Sequence, residues 1–197
     1  MTLSAVLLAG GESRRMGRDK AMLLLDGIPL WQHQFAVLRE LSPVVLFVSA
    51  RQPPVWLPAD ARFITDPPLA RGPLGGLAAA LEAMRGTHLL AMAIDMPAMT
   101  AAHLAMLWRA ASPGCGVLPC IGDQMEPLPA IYPAEALPVA SGLLAGADVS
   151  LGIFTRALAA AGRMKTQTIA RLDTKLYANW NTPADLATPC RPPRRAL

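Results

Sequence analysis

Long apolar runs are missing from this sequence: none approaches the roughly 18 residues that a membrane-crossing helix needs, which excludes a helical membrane span. Cysteine is scarce. Cys115, Cys120 and Cys190 are odd in number and irregular in spacing, with no CxxC and no histidine-paired ligand pattern. That argues against a disulfide or zinc framework and fits reduced thiols in the cytoplasm. A strong excess of one charge is also missing. Lys plus Arg number 18 against 14 acids, a formal net charge of +4, and Arg191, Arg194 and Arg195 sit near the C-terminus. This balance does not point to a nucleic-acid binder and suggests local basic sites for a small anionic ligand. Ser13-Arg14-Arg15 is not read as an export signal, because the apolar run after it, AMLLL, breaks at Asp26-Gly27 and a strand-like segment precedes it. No Gly-Lys is followed by Ser or Thr, and there is no GxGxxG, so neither of the two commonest glycine-rich phosphate loops is present.

What is present is a chain of 197 residues, 53% hydrophobic, enough for one domain with a proper core. Short apolar runs alternate with helical patterns. Ser4 to Leu8 reads as a buried strand ending on Gly10-Gly11, and Leu30 to Leu41 as a helix with Leu30, Phe35, Leu38 and Leu41 on one side. Val44 to Val48, Arg62 to Thr65 and His88 to Ile94 read as further strands. Leu74 to Met84 and Ala101 to Ala111 read as helices, the second capped by Thr100. Strand–helix alternation predicts an α/β, doubly wound and mostly parallel sheet of Rossmann-like type. Beyond residue 111 the pattern changes. Val117 to Ile121 and Met125 to Tyr132 read as a hairpin-like pair, Leu137 to Leu144 and Leu151 to Ala161 as helices, and Thr168 to Leu172 as a late strand. We expect a single domain over residues 1–188, with a nucleotide-binding half at 1–111, an acceptor half at 112–188 and a disordered tail at 189–197.

The stretch LAGGESRRMGRDK, residues 8–20, carries the chemistry. Gly10 and Gly11 let the backbone turn sharply, and consecutive N–H groups in such a turn form a concave anion site. Arg14, Arg15, Arg18 and Lys20 follow, able to neutralise a polyphosphate, arginine also gripping it bidentately. In open α/β sheets the ligand sits beyond the carboxyl ends of the strands, where Gly10-Gly11, Asp66 and Asp95 fall. Asp95, before Met96-Pro97, is placed either to hold Mg2+ shared with substrate phosphates or simply to shape a turn. Asp66 has the same two readings. Gly72 to Gly76, Gly75 included, gives backbone access to a base or ribose, or close helix packing. Glu126 is a cleft acid or an edge residue. Asn179 and Asn181 are ligand amides, or part of a helix start capped by Thr182 before Pro183. His33, His88 and His103 are read as structural.

Taken together, LAGGESRRMGRDK, GIPLWQHQ, GPLGGLAAAL, DMP, EPLPAIY and NWNTPADL resemble, in this order, the molybdenum cofactor guanylyltransferases. The likeness runs to about Leu186. The first motif alone indicates only the wider nucleotidyltransferase superfamily. The resemblance implies transfer of GMP from GTP to the terminal phosphate of molybdenum-carrying molybdopterin, releasing pyrophosphate. It implies nucleotide contacts from Leu8, Ala9, Gly10, Gly11, Lys20, Asp66, Gly75 and Asp95, and acceptor contacts from Glu126, Asn179 and Asn181. Asp95 would also hold Mg2+, and Lys20 and Arg15 would offset phosphate charge. Molybdoenzyme chaperones or other molybdenum-cofactor proteins are the partners it implies downstream. One departure is the segment VSAR: some members have an asparagine where Ala50 stands, and that contact is not carried over. The related cytidylyltransferases usually show LAAG where this chain has LAGG, so Gly10 favours guanine by resemblance. The alternatives are a cytidylyltransferase using CTP, another small-molecule nucleotidyltransferase, and a GTP-binding protein without transfer chemistry.

Overall fold

The computed structural model describes residues 1–10, 19–65, 72–146 and 149–180. Ten strands and five α-helices are described. They are β1 (Leu3–Leu8), β2 (Leu24–Leu25), β3 (Ile28–Pro29), α1 (Leu30–Arg39), β4 (Leu46–Ala50), β5 (Arg62–Thr65), α2 (Pro73–Ala83), β6 (His88–Ala93) and α3 (Ala101–Ala110). There follow β7 (Gly116–Ile121), β8 (Gln124–Met125), β9 (Ala130–Pro133), α4 (Leu137–Leu144), α5 (Leu151–Ala160) and β10 (Met164–Thr168). The main sheet runs β10-β7-β9-β6-β1-β4-β5, with β8 paired to β7. β1 is parallel to both β4 and β6, and β9 is antiparallel to its neighbours. The chain thus moves outward from β1 to β4 and β5, then returns across to β6 on the other side. That reversal opens the crevice at the carboxyl ends of β1 and β6 where α/β sheets bind ligands.

Both faces of β1 are buried, which is why its sequence is a continuous apolar run instead of an alternation. Leu3, Ala5 and Leu7 pack with Phe35 and Leu38 of α1 and Leu104 and Leu107 of α3. Val6 and Leu8 face the opposite layer, with Leu74, Leu77 and Leu81 of α2 and Phe154 and Leu158 of α5. Thr100 caps α3 as expected, its hydroxyl accepting from the His103 amide at 3.3 Å. Pro73 sits in the first turn of α2, preceded by Gly72 at φ +86°, a left-handed conformation that side chains resist. Gly116 is fixed by space: a Cβ there would stand 2.0 Å from the Ile131 carbonyl on β9.

Two expectations need correction. Met125 to Tyr132 is not one strand. After β8 the chain breaks away, passes a cis Leu128-Pro129 peptide and re-enters the sheet as β9, wedged between β6 and β7. Tyr132 is fully buried, and its hydroxyl donates to the Pro127 carbonyl at 2.6 Å, folding EPLPAIY back on itself. The late strand lies at Met164–Thr168, parallel to β7, and residues 171–177 form 3-10 turns. β10 reads MKTQT, an edge strand with mostly exposed side chains, so it carries no apolar run to reveal it.

Each of the three histidines, read from the sequence as structural, meets a hydrogen-bond partner within the chain. His33 Nε2 meets the Leu25 carbonyl at 2.8 Å, and His103 Nε2 meets the Tyr177 hydroxyl at 2.8 Å. His88 is buried, its Nε2 against the carbonyls of Ser112 and Cys115, so that nitrogen carries the proton. Burial pushes the His88 pKa down. The unfolded chain, with histidine near 6.5, then binds more protons than the folded one below that pH. Stability from His88 is complete above about pH 6.5 and is lost as the pH falls below it toward the lowered folded value. Melting temperature should therefore fall between pH 7.5 and 5.5, and the fall should be smaller in His88→Gln; scanning fluorimetry at the two pH values checks this.

Candidate active site

Three chain segments converge at the carboxyl ends of β1 and β6. Leu8, Ala9 and Gly10 leave β1, Ala93, Ile94 and Asp95 leave β6, and Asp19 and Lys20 open a 3-10 turn at Lys20–Met22. These residues, with Pro73, Leu128 and Asn179, line a pocket whose described walls enclose about 280 Å³. Across it Lys20 Nζ and the Asp95 carboxylate meet at 2.8 Å, both side chains about one-fifth exposed. This is a charge-assisted hydrogen bond between residues 75 apart in sequence.

Each partner is held from behind. Asp19 caps the 3-10 turn, one carboxylate oxygen accepting from the Ala21 amide at 3.0 Å and the other from the Trp56 indole at 2.9 Å. Trp56 in turn stacks on Trp31, ring centroids 5.7 Å apart, and Trp31 meets Phe35 edge-on. On the other side, the Trp180 amide donates to the Asp95 carbonyl at 2.8 Å, and Trp180 packs with Leu25 and Leu30. That bond places the exposed Asn179 at the pocket's rim. Gln34, 2% exposed on α1, donates to the carbonyls of Met96 at 2.8 Å and Ile94 at 3.3 Å, flanking Asp95.

The site residues named from the sequence therefore divide. Leu8, Ala9, Gly10, Lys20, Asp95 and Asn179 are brought together. Gly11, Arg15, Asp66 and Asn181, with Arg14 and Arg18, lie outside the described residues. Gly75 is buried in the first turns of α2, behind Pro73, and Glu126 is not among the described lining residues. Burial raises the Glu126 pKa, and its charge adds to the burial that raises Tyr177. One expectation about Gly10 is corrected: its amide and that of Ala9 both donate to the Ser49 carbonyl, at 3.0 and 2.9 Å, so neither N–H is offered to an anion. β4 supplies that carbonyl, and the VSAR segment thereby shapes the glycine turn through its backbone.

Asp19, Gln34, Trp56 and Trp180 were not singled out from the sequence. Gln34 carried a signal: it is the one amide on an apolar helical stripe, four residues after Leu30 and four before Leu38. A larger cavity of about 650 Å³ lies beyond Gln34, lined by His33, Glu40, Pro97 and Thr100 among others; no Lys or Arg is among its described lining residues. The smaller pocket has a cation, Lys20, among its described lining residues. No cluster of three or more His, Cys, Asp or Glu side chains exists among the described residues. A lone carboxylate suits a hard cation that takes most of its oxygens from a bound polyphosphate and from water, and does not suit zinc.

Comparison with known proteins gives the family. Residues 5–161 match the family model described as the MobA-like NTP transferase domain. The chain belongs to that family. It is 40% identical over 188 residues to a probable molybdenum cofactor guanylyltransferase of Opitutus terrae, covering 93% of this chain and 92% of the relative. It is 34% identical to the molybdenum cofactor guanylyltransferase of Xanthomonas euvesicatoria, with coverage of 91% and 90%. Among solved structures, molybdopterin-guanine dinucleotide biosynthesis protein A of Archaeoglobus fulgidus superposes with a TM-score of 0.71 at 24% identity, over 93% of this chain and 95% of that one. A 2-C-methyl-D-erythritol 4-phosphate cytidylyltransferase of Thermus thermophilus gives 0.68 at 16% identity, over 95% and 96%. Both share the fold. Among the described residues, no helix is long and apolar enough to cross a membrane.

The Trp56 indole bond to Asp19 is a testable support of this family site. Trp56→Phe keeps the stack on Trp31 and removes the donor. A hydrogen bond to a partly exposed carboxylate is worth about 1 kcal/mol, so the melting temperature should fall by about 2–4 °C, read by calorimetry.

Proposed function

We propose that this nucleotidyltransferase transfers GMP from GTP to molybdenum-loaded molybdopterin, giving the guanine dinucleotide form of the cofactor and pyrophosphate. The observation that carries the reading is the meeting of Lys20 and Asp95 at the ends of β1 and β6, in a pocket also lined by Asn179. The relatives' names favour guanylyl over cytidylyl transfer.

In the proposed reaction a phosphate oxygen of the acceptor attacks the α-phosphorus of GTP in line. The attacking oxygen is already anionic, so no strong general base is required. Catalysis rests on positioning and on offsetting charge between two anions. Lys20 exchanges its bond to Asp95 for contact with the phosphates, and Arg15 adds positive charge. Leu8, Ala9, Gly10 and Gly11, with Asp66 and Gly75, bound the nucleotide. Asp95 is the residue that would hold Mg2+, which would supply charge stabilisation for the leaving pyrophosphate. Glu126, Asn179 and Asn181 face the acceptor, so residues 1–111 serve the nucleotide and 112–188 the pterin. The enzyme works in the cytoplasm, and its product passes to molybdoenzyme chaperones or other molybdenum-cofactor proteins.

The test is purified protein with molybdenum-loaded molybdopterin, Mg2+ and each of the four NTPs, followed by chromatography of the dinucleotide. GTP should give the fastest turnover; a CTP rate equal or greater overturns the base assignment. Asp95→Ala should lower turnover at least about 100-fold with an unchanged circular dichroism spectrum. Full turnover of that variant at saturating Mg2+ would remove Asp95 from the metal site.

A further inference from the structure

A buried amide on an apolar helix face is costly unless every hydrogen finds an acceptor. Gln34 stands on the inner stripe of α1 with Leu30, Phe35 and Leu38, at 2% exposure. Both atoms it faces are backbone carbonyls, Ile94 and Met96, so the side-chain nitrogen must point at them and its two hydrogens are both used.

Those carbonyls have a particular position. The β6 ladder with β1 ends at Ala93, opposite Leu8, and one more bond joins the Ile94 amide to the Leu8 carbonyl. Past that point the sheet no longer fixes the chain. The three carbonyls that follow are satisfied from outside: Ile94 and Met96 by Gln34, Asp95 by the Trp180 amide, with Met96 also accepting from Met99. One amide group therefore grips the Ile94–Asp95 and Met96–Pro97 peptide units, and the Trp180 amide holds the Asp95–Met96 unit between them. An aspartate side chain has only two torsions, so where its carboxylate lies follows from where its backbone is held.

We infer that Gln34 is a positioning residue for nucleotidyl transfer: its amide fixes the Ile94–Met96 backbone and so aims the Asp95 carboxylate into the pocket. Gln34 touches neither substrate and acts only through Asp95. The inference rests on the proposed role of Asp95.

The test is a double-mutant cycle with Gln34→Met, which keeps the side chain's volume and removes both donors, and Asp95→Asn, each assayed for dinucleotide formation with GTP alongside a melting curve. A small displacement of a catalytic group costs up to about 100-fold, so Gln34→Met should lower kcat about 10- to 100-fold while the protein stays folded at the assay temperature. In the Asp95→Asn background the same change should cost less than about 3-fold. A residue that only stabilises the fold would lower activity by the same factor in both backgrounds, and that result overturns the inference. So does a Gln34→Met enzyme within 2-fold of wild type when Asp95→Asn is crippled. If Asp95→Asn is itself fully active, the reading of Asp95 has failed instead. Should Gln34→Met not fold, Gln34→Glu decides. Its carboxyl supplies at most one donor in place of two, so kcat should again fall at least about 10-fold beside Asp95 and less than about 3-fold beside Asp95→Asn, and equal losses in both backgrounds overturn the inference.

Discussion

Everything in the pocket depends on the parallel register that sets Leu8 of β1 beside Ala93 of β6. Because the two strands end level, Gly10 and Asp95 emerge side by side. Lys20, brought round by the turn that Asp19 caps, reaches Asp95 at 2.8 Å. The register is secured by burial on both faces. A slip of one residue would turn Leu3, Ala5 and Leu7 toward the layer that now receives Val6 and Leu8, and would separate the two strand ends. The core thus sets the distance between a cation and a carboxylate that lie 75 residues apart.

Much of this was legible in the sequence, for a physical reason. Strands buried on both faces write themselves as short apolar runs, and SAVLL and HLLAMAI are such runs. The strand ends, with the polar residues at them, could then be placed by the rule that ligands lie beyond carboxyl ends. β9 and β10 were less legible for opposite reasons. β9 is buried but short, and the run leading to it contains two prolines, Pro127 and Pro129, so its boundary with β8 leaves no periodic trace. β10 lies at an edge, where polar residues serve as well as apolar ones.

The site shows the same division. Motif residues that face the ligand space, such as Gly10, Lys20 and Asp95, announce themselves because glycine and charge have few other uses after a buried strand. Residues that hold them do not. Trp56 lies between β4 and β5 and reads as a loop aromatic, and Gln34 reads as an exception on a helix face; only the tertiary structure says what each touches. The Ser49 carbonyl could not have been named at all, since it acts through its backbone. It takes the amide of Gly10 together with that of Ala9, so the Gly10 N–H that the sequence offers to an anion is already used.

The two partners of the central pair are braced differently, and the difference follows from their side chains. Lysine has a four-carbon stem, so its ammonium can move while its backbone stays fixed. The backbone at that end is held through the turn, by Asp19 and Trp56. Aspartate is short, and an error in its backbone passes undiminished to its carboxylate. Three consecutive carbonyls around Asp95 are therefore tied to α1 and to Trp180. A site that offers a cation from a flexible arm and an anion from a rigid one can admit a polyphosphate without moving its sheet. Among the described residues that line the pocket, the lysine stem is a part that can move at little cost.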